Sequence, residues 1–403
     1  MKDNSNNDDF KDGYDYKNDE FMDDLKSSLS RQVNETIHEE GSIKKPDKVD
    51  PGAGHPDDKA RKPSYKLLKY VVLPLGILMI VAAILTGTDF GKSMLIKIIG
   101  NYSYKKLQYE EVREEENIPP EEEKEPQTPG GEKKPSKEVS NILLVGVETF
   151  EGALNTDTMI VASLDSQNSV IKLTSLMRDL YVEIPGHKNN KLNSAYANGG
   201  IALLYDTIET NFGLVMDGYV LVDFNDFEEI IDYLGGIDIE LTATEAKYLR
   251  TTNYISNPSY RNVVEGTQHM NGNQVLGYCR IRKVPTTTEN SDFGRTQRQR
   301  IVLEKIFEKL RKKNVIQLGL VMNAILSNVD IKTDIAKADY NNYLQQGVYL
   351  EKNAIKSFRV PKDGTYVSER VVIGKYKQDV LVPKSWPDTK AMLEKFIYGD
   401  SAD

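Results

Sequence analysis

Residues 141–175 read NILLVGVETFEGALNTDTMIVASLDSQNSVIKLTS. NILLVGVE is an apolar run of the kind that forms a central strand. TMIVASL (158–164) and VIKLTS (170–175) read as two more strands, joined by the turn DSQNS. Strands that follow one another without an intervening helix imply a mixed sheet rather than a parallel one. Downstream, Ile201, Leu204, Ile208 and Phe212 share one face of a helix over 200–212. A strand over 219–222, a helix over 223–233 stopped by Gly235 and Gly236, and a strand over 237–241 follow. The signal weakens over 242–272. A short helix at 273–277 and a long one at 296–312 come next, then helical sequence to about 350, a strand near 368–373 and a helix near 388–398. Interspersed strands and helices predict an α/β domain over 138–398, long enough to bury a large core.

Three different segments precede it. Residues 1–69 are polar, with too little apolar content to fold alone. Tyr70 to Thr88 carries no charge over 19 residues, which predicts a transmembrane helix. Lys59, Arg61, Lys62, Lys66 and Lys69 precede it and Lys92, Lys97, Lys105 and Lys106 follow, which slightly favours a cytoplasmic N-terminus. Phe90, Met94, Leu95, Ile98 and Tyr102 recur at helical spacing, read either as a helix along the membrane surface or as an extension of the span. Residues 108–137 hold ten glutamates and five prolines and read as an extended linker.

The net charge of −9 and the lack of a basic DNA-binding pattern argue against a nucleic-acid partner. No phosphate-binding glycine loop, dinucleotide fingerprint, zinc-protease motif or nucleophile elbow is present. The single cysteine, Cys279, excludes a disulfide within the chain and reads as a buried structural thiol.

Arginines stand out against this acidic background: Arg178 in SLMRDLY, Arg280 and Arg282 in YCRIRK, and Arg295 in DFGRTQRQR. Each has a carboxylate in its own motif or the next: Glu148, Asp157, Asp179 or Asp292. A guanidinium stays charged and grips phosphate with a planar fork, so the set reads as a pyrophosphate clamp. In an extended segment Arg280 and Arg282 point one way and Cys279 the other. Arg295, Arg298 and Gln299 open the long helix on one face, which Val302 and Ile306 continue. Asp292 could cap that helix or meet a metal. Carboxylates at strand ends beside arginines suit Mg²⁺, which takes one or two carboxylates plus phosphate oxygens and water.

NILLVGVE, TDTMIVASLD, SLMRDLYVEIPG, KLNSAYANGG, GYVLVDFNDFEEIIDYLGGIDIE, QVLGYCRIR and DFGRTQRQR occur in this order over 141–300. Together they resemble the LytR-CpsA-Psr family of membrane-anchored cell-wall ligases. The resemblance implies a three-layer α/β/α sandwich around a mixed sheet. It implies transfer of a phosphoglycopolymer (teichoic acid, capsule or another wall glycan) from an undecaprenyl-pyrophosphate carrier onto peptidoglycan, with Mg²⁺ as cofactor. It places Arg178, Arg280, Arg282 and Arg295 on the pyrophosphate, Asp157 and Glu148 on the metal, and Asp292 as an acid near the pyrophosphate. Arg298, Gln299 and Lys191 become substrate-binding positions. The sequence departs from the family in having Glu148 where aspartate is usual, and in a longer loop, VPTTTENS, before Asp292. The rivals are a prenyl-pyrophosphate phosphatase and a non-catalytic receptor for lipid-linked precursors.

Overall fold

The computed structural model describes residue 27 and residues 88–112, 139–150, 153–348 and 355–399. The apolar run at 70–88 lies outside them except for Thr88, as do nearly all of the tail and most of the linker. Among the described residues no helix is long and apolar enough to cross a membrane.

From residue 88 on, the described elements open with helix α1 (Asp89–Tyr104) and strand β1 (Gln108–Tyr109). Strands β2 (Val139–Phe150), β3 (Ala153–Asp165), β4 (Val170–Leu176), β5 (Tyr181–Val182) and β6 (Asn190–Lys191) lead to α2 (Asn193–Phe212), β7 (Gly218–Asp223) and α3 (Phe224–Tyr233). After β8 (Ile237–Leu241) come α4 (Ala243–Thr251), β9 (Gly266–Met270), α5 (Gly272–Cys279), α6 (Ser291–Arg311) and α7 (Val315–Leu326). The remainder is β10 (Lys332–Thr333), α8 (Lys337–Val348), β11 (Ile355–Val360), β12 (Tyr366–Ile373), β13 (Tyr376–Pro383) and α9 (Trp386–Tyr398).

Seven strands form one sheet in the order β1-β10-β7-β2-β3-β4-β11. Pairing is antiparallel across β2-β3-β4 and parallel for β2-β7 and β4-β11, so the sheet is mixed. Side chains alternate across it, as the two-residue period of a strand requires. Leu143, Val145, Met159 and Val161 face Leu204 and Ile208 of α2 and Leu393 and Ile397 of α9. Ile160, Ala162 and Leu173 face the other way, against Leu303 and Phe307 of α6. Helices therefore cover both faces of the sheet. Each fully buried aliphatic side chain contributes roughly 1.5–3 kcal/mol. The sequence reading missed the two-residue strands β1, β6 and β10 and three longer ones: β9, which pairs with β8, β11, which returns to pair beside β4, and β13, the partner of β12.

Helix α2 starts earlier than its periodicity suggests. Its two pieces are joined at Gly199 and Gly200, and Gly200 takes φ 64° and ψ −154°, a conformation left to glycine. The weak stretch 242–272 folds as part of a cap. There α3 to α7 and the β8-β9 hairpin share a second core around Ile231, Ile239, Leu249, Val275 and Val302.

The boundary placed at residue 138 is corrected by α1. Leu95, Ile98 and Ile99 are buried in a cluster with Val315, Leu320 and Met322 of α7. Gly100 lies so close to α8 that a Cβ there would stand 2.0 Å from Asn341 Oδ1. Beyond it, β1 pairs in parallel with β10. Apart from exposed Phe90, the apolar stripe of α1 is thus covered by protein, and the helix belongs to the body.

Arg298 holds the cap together. Its guanidinium is fully buried; Nε donates to Glu245 Oε1 at 2.8 Å, Nη1 to the Ile281 carbonyl at 3.0 Å and Nη2 to the Val284 carbonyl at 2.8 Å. Removing one partner of a buried pair leaves the other charge uncompensated. Arg298→Met is expected to destabilise the domain by about 3–5 kcal/mol in denaturant unfolding, and adding Glu245→Leu should recover part of the loss. An unchanged midpoint in the single variant would show that the pair is not a strut.

Candidate active site

Asp157 owes its position to an irregularity in the first hairpin. Gly146 pairs with Thr158 and Val147 with Thr156, which leaves Asp157 as the extra residue of a β-bulge. Regular alternation would aim Asp157 at the α2 face, with Met159 and Val161. The bulge instead puts it beside Thr158 on the wall of a cavity.

Four arginines converge there from three parts of the chain. Arg178 follows the end of β4. Arg280 caps the C-terminus of α5, and Arg282 lies in the loop after it. The expectation of an extended YCRIRK segment is corrected: 272–279 is helical and Arg280 has φ −94° and ψ −8°. Arg280 and Arg282 still reach the same hairpin. Arg280 Nη2 meets Glu148 Oε1 at 2.9 Å, and Arg282 Nη2 meets Asp157 Oδ2 at 3.2 Å. Arg295, in the second turn of α6, places Nη1 at 3.1 Å from Asp157 Oδ2 and Nη2 at 3.0 Å from Asp292 Oδ2. Arg178 bonds Asp157 Oδ1 and lies 4.0 Å from Asp292 Oδ2, while Arg282 Nε lies 3.4 Å from Asp292 Oδ1. Asp292 therefore serves three guanidiniums; the helix cap is Asn290.

These four cations against Glu148, Asp157 and Asp292 leave one positive charge in excess. Burial pushes the Asp157 carboxyl up, but Arg295, Arg178 and Arg282 together outweigh it and hold it below the usual carboxylate range. Burial lowers the Arg295 pKa; Asp292 opposes that, and the neighbouring Arg178 and Arg282 add to it. Arg178 Nε is buried and makes no hydrogen bond within the protein, whereas Arg295 Nε lies 3.0 Å from Asp292 Oδ1. Crowded cations with a donor to spare suit an incoming polyanion.

Below the arginines the cavity becomes apolar. Its volume is about 690 Å³, and it lies between the sheet and the cap. Leu144, Ile160, Val220 and Val222 form the sheet wall, and Phe227, Ile230, Leu276, Val302, Leu303 and Ile306 the cap wall. Gln299 lines it one turn from Arg295, with its Oε1 buried and unpartnered.

Arg298 does not share this face. Successive helical residues diverge by about 100°, so Gln299 points into the cavity while Arg298 turns into the cap core. Its expected role as a substrate-binding residue is corrected to a structural one. Lys191 bonds Asp179 at 2.8 Å, and Asp179 lies 3.7 Å from Arg178. Lys191 thus touches the clamp through Asp179 rather than from the cavity wall. Cys279 is buried beside the cavity, and burial pushes its thiol up to about 12, which disfavours the thiolate a nucleophile needs. Sequence reasoning missed Phe224, whose ring lies 5.1 Å from the Arg280 guanidinium, and Asn193 at the cavity edge. Phe224 had a signal in its place at the start of a helix, directly after Asp223; Asn193 had none.

Among the described residues no group of three or more His, Cys, Asp or Glu forms a metal cage. Asp157 and Glu148 beside an anion clamp do fit the habit of Mg²⁺, which takes one or two carboxylates and completes its shell with phosphate oxygens and water.

A family model described as the LytR_cpsA_psr family matches residues 101–382. The regulatory protein MsrR of Staphylococcus aureus is 32% identical over 231 residues, 56% of this chain and 65% of the relative. A protein of Enterococcus faecalis named polyisoprenyl-teichoic acid–peptidoglycan teichoic acid transferase TagU is 34% identical over 212 residues, 51% of this chain and 64% of that one. The chain thus spans just under two-thirds of the length of these relatives. Among solved structures, TagT bound to LI-WTA superposes with a TM-score of 0.51 at 22% identity, covering 66% of this chain and 94% of that one. Protein gbs0355 of Streptococcus agalactiae gives 0.51 at 25% identity, covering 65% and 88%. With the family model matching well over half of its length, the chain belongs to the LytR_cpsA_psr family.

Proposed function

We propose that the protein is a membrane-anchored transferase that moves a phosphoglycopolymer from an undecaprenyl-pyrophosphate carrier onto peptidoglycan. The observation that carries this reading is a single cavity with a charged mouth and an oily interior. Arginines cluster at one end of a cavity of about 690 Å³ whose remaining walls are mainly apolar. A diphosphate attached to a long hydrocarbon matches both halves. The transferase name of the Enterococcus faecalis relative supports the same substrate class. The apolar run at 70–88 supports a single span, with the domain outside the cell.

An acceptor hydroxyl oxygen on the glycan attacks the phosphorus bonded to the polymer. A new P–O bond forms and the P–O–P bridge breaks. The bridging oxygen leaves with the electron pair as prenyl monophosphate. Arg178, Arg280, Arg282 and Arg295 hold the diphosphate and stabilise charge that grows on its oxygens. The hydroxyl proton passes to a carboxylate. Asp157, held ionised by three guanidiniums, is a weak base, and Glu148, paired with Arg280, is the other carboxylate at the site. Asp157 and Glu148 would hold Mg²⁺, which would neutralise phosphate charge.

A second reading, a receptor for lipid-linked precursors, has the name of the Staphylococcus aureus relative in its favour. It requires tight binding without bond cleavage. A phosphatase would pass the polymer phosphate to water.

Arg280→Ala and Arg282→Ala should each lower turnover of a prenyl-pyrophosphate-linked glycan by about a hundredfold or more, with unfolding transitions unchanged. Wild-type rates in both would remove the clamp. Covalent product on added peptidoglycan, lost on chelation of divalent metal, separates transferase from phosphatase and receptor. Ile306→Trp should raise KM for long prenyl chains and spare short ones; equal effects on both would mean that the apolar chamber does not hold the tail. The pH dependence follows from Asp157. Its depressed pKa contributes stability that is full above the unfolded value of about 4 and lost as pH falls through the folded value. Asp157→Asn should therefore be less stable at neutral pH and flatter in acid titration by circular dichroism.

A further inference from the structure

We propose that one end of the domain, formed by the last turn of α6 and the starts of α7 and α1, docks on an anionic lipid bilayer and holds the apolar end of the cavity against it. The proposal rests on the anchoring and substrate class given above.

The first observation is direction. Helix α6 carries Arg295 at the clamp, then Gln299, Val302 and Ile306 along the cavity. At about 1.5 Å per residue Ile306 lies about 16 Å beyond Arg295, and Lys312 about 25 Å beyond it. The oily part of the cavity thus runs towards the C-terminal end of α6.

The second is charge. That end carries Arg311, Lys312 and Lys313 in a chain of net charge −9; the first two are exposed and the third is half-buried. Lys309 is committed elsewhere, donating to the Gly235 carbonyl at 2.7 Å and to that of Gly236. Of the acids on this side, Asp238 bonds His269 at 2.7 Å, Glu308 pairs with Lys305 at 3.0 Å, and Asp89, at the start of α1, lies 3.8 Å from Lys92. Cations in a last helical turn offset the helix dipole, but that role does not require three in succession.

The third is where the chain leaves. Lys106, just past α1, donates to Asn323 Oδ1 at 2.7 Å and to Ser327 Oγ at 2.5 Å, at the far end of α7. Leu95 shares a cluster with Val315 at the near end of α7. The two helices therefore run the same way, and Thr88 lies towards the start of α7, two residues past Lys313. Exposed Phe90 sits on this side. The start of α1, the basic turn and the oily end of the cavity meet at one pole, where phospholipid headgroups of negative charge would bind the cations.

The test uses the full chain in nanodiscs of phosphatidylcholine alone or mixed with phosphatidylglycerol. Hydrogen exchange is followed over residues 309–318. Exchange should be several-fold slower in the anionic discs, and the difference should vanish in molar salt and in the Arg311→Gln/Lys312→Gln/Lys313→Gln variant. Equal exchange in the two membranes, or a difference that survives salt, overturns the proposal. If the triple variant fails to fold, shown by fast exchange in β2 and β3, the lipid and salt contrasts on the unaltered chain decide. A chain that never co-purifies with discs removes this proposal and the anchor together. Absent turnover with the exchange pattern intact strikes only the transferase reading.

Discussion

The site depends on the interleaving of guanidinium groups with carboxylates. Arg178, Arg282 and Arg295 approach one another closely only because Asp157 and Asp292 lie between them. Without those acids the cations would repel; with more acids the excess positive charge would be gone. The balance leaves a region that is preorganised, partly desolvated and still short of anions. Such a region stabilises phosphate charge with little reorganisation, which is where most of the catalytic effect of a phosphoryl-transfer site originates.

One helix supplies much of this order. From α6, Arg295 reaches the clamp, Arg298 the cap, and Arg300 the sheet, donating to Ser175 Oγ at 2.8 Å. Glu289, just before the helix, lies 3.7 Å from Arg300 and 3.4 Å from Arg359. The loop that carries Arg282 is thereby tied at both ends, through the Arg298 bonds to the Ile281 and Val284 carbonyls and through Glu289. Three nearby arginines on one helix do three different jobs because each residue turns the side chain by about 100°.

The central strands and the arginine set were legible in the sequence. NILLVGVE and TMIVASL have unbroken apolar runs, and the arginines sit in compact motifs of an acidic chain. What stayed hidden was of two kinds. Long-range pairing left no local mark: nothing near Ile355 says that it will lie beside Ile171. Rotational detail was also lost. Arg298 and Gln299 are neighbours in sequence, and a pattern of residue types does not tell which one meets the cavity and which the Glu245 carboxylate. Helix α1 was misjudged because an apolar stripe looks alike whether lipid or protein covers it; Gly100, which permits the approach of α8, was the clue.

The single extra residue in the hairpin makes the chain unusually sensitive to length at that point. Excising one residue between Val147 and Thr158 would restore the even pleat and swing an acidic side chain off the polar mouth into the oil on the reverse of the sheet. Swaps of residue type near the tip leave the pleat alone, whereas a lone codon lost or gained beside Asp157 would undo charge placement and core at once. Among homologous chains this stretch should therefore vary in composition far more freely than in residue count.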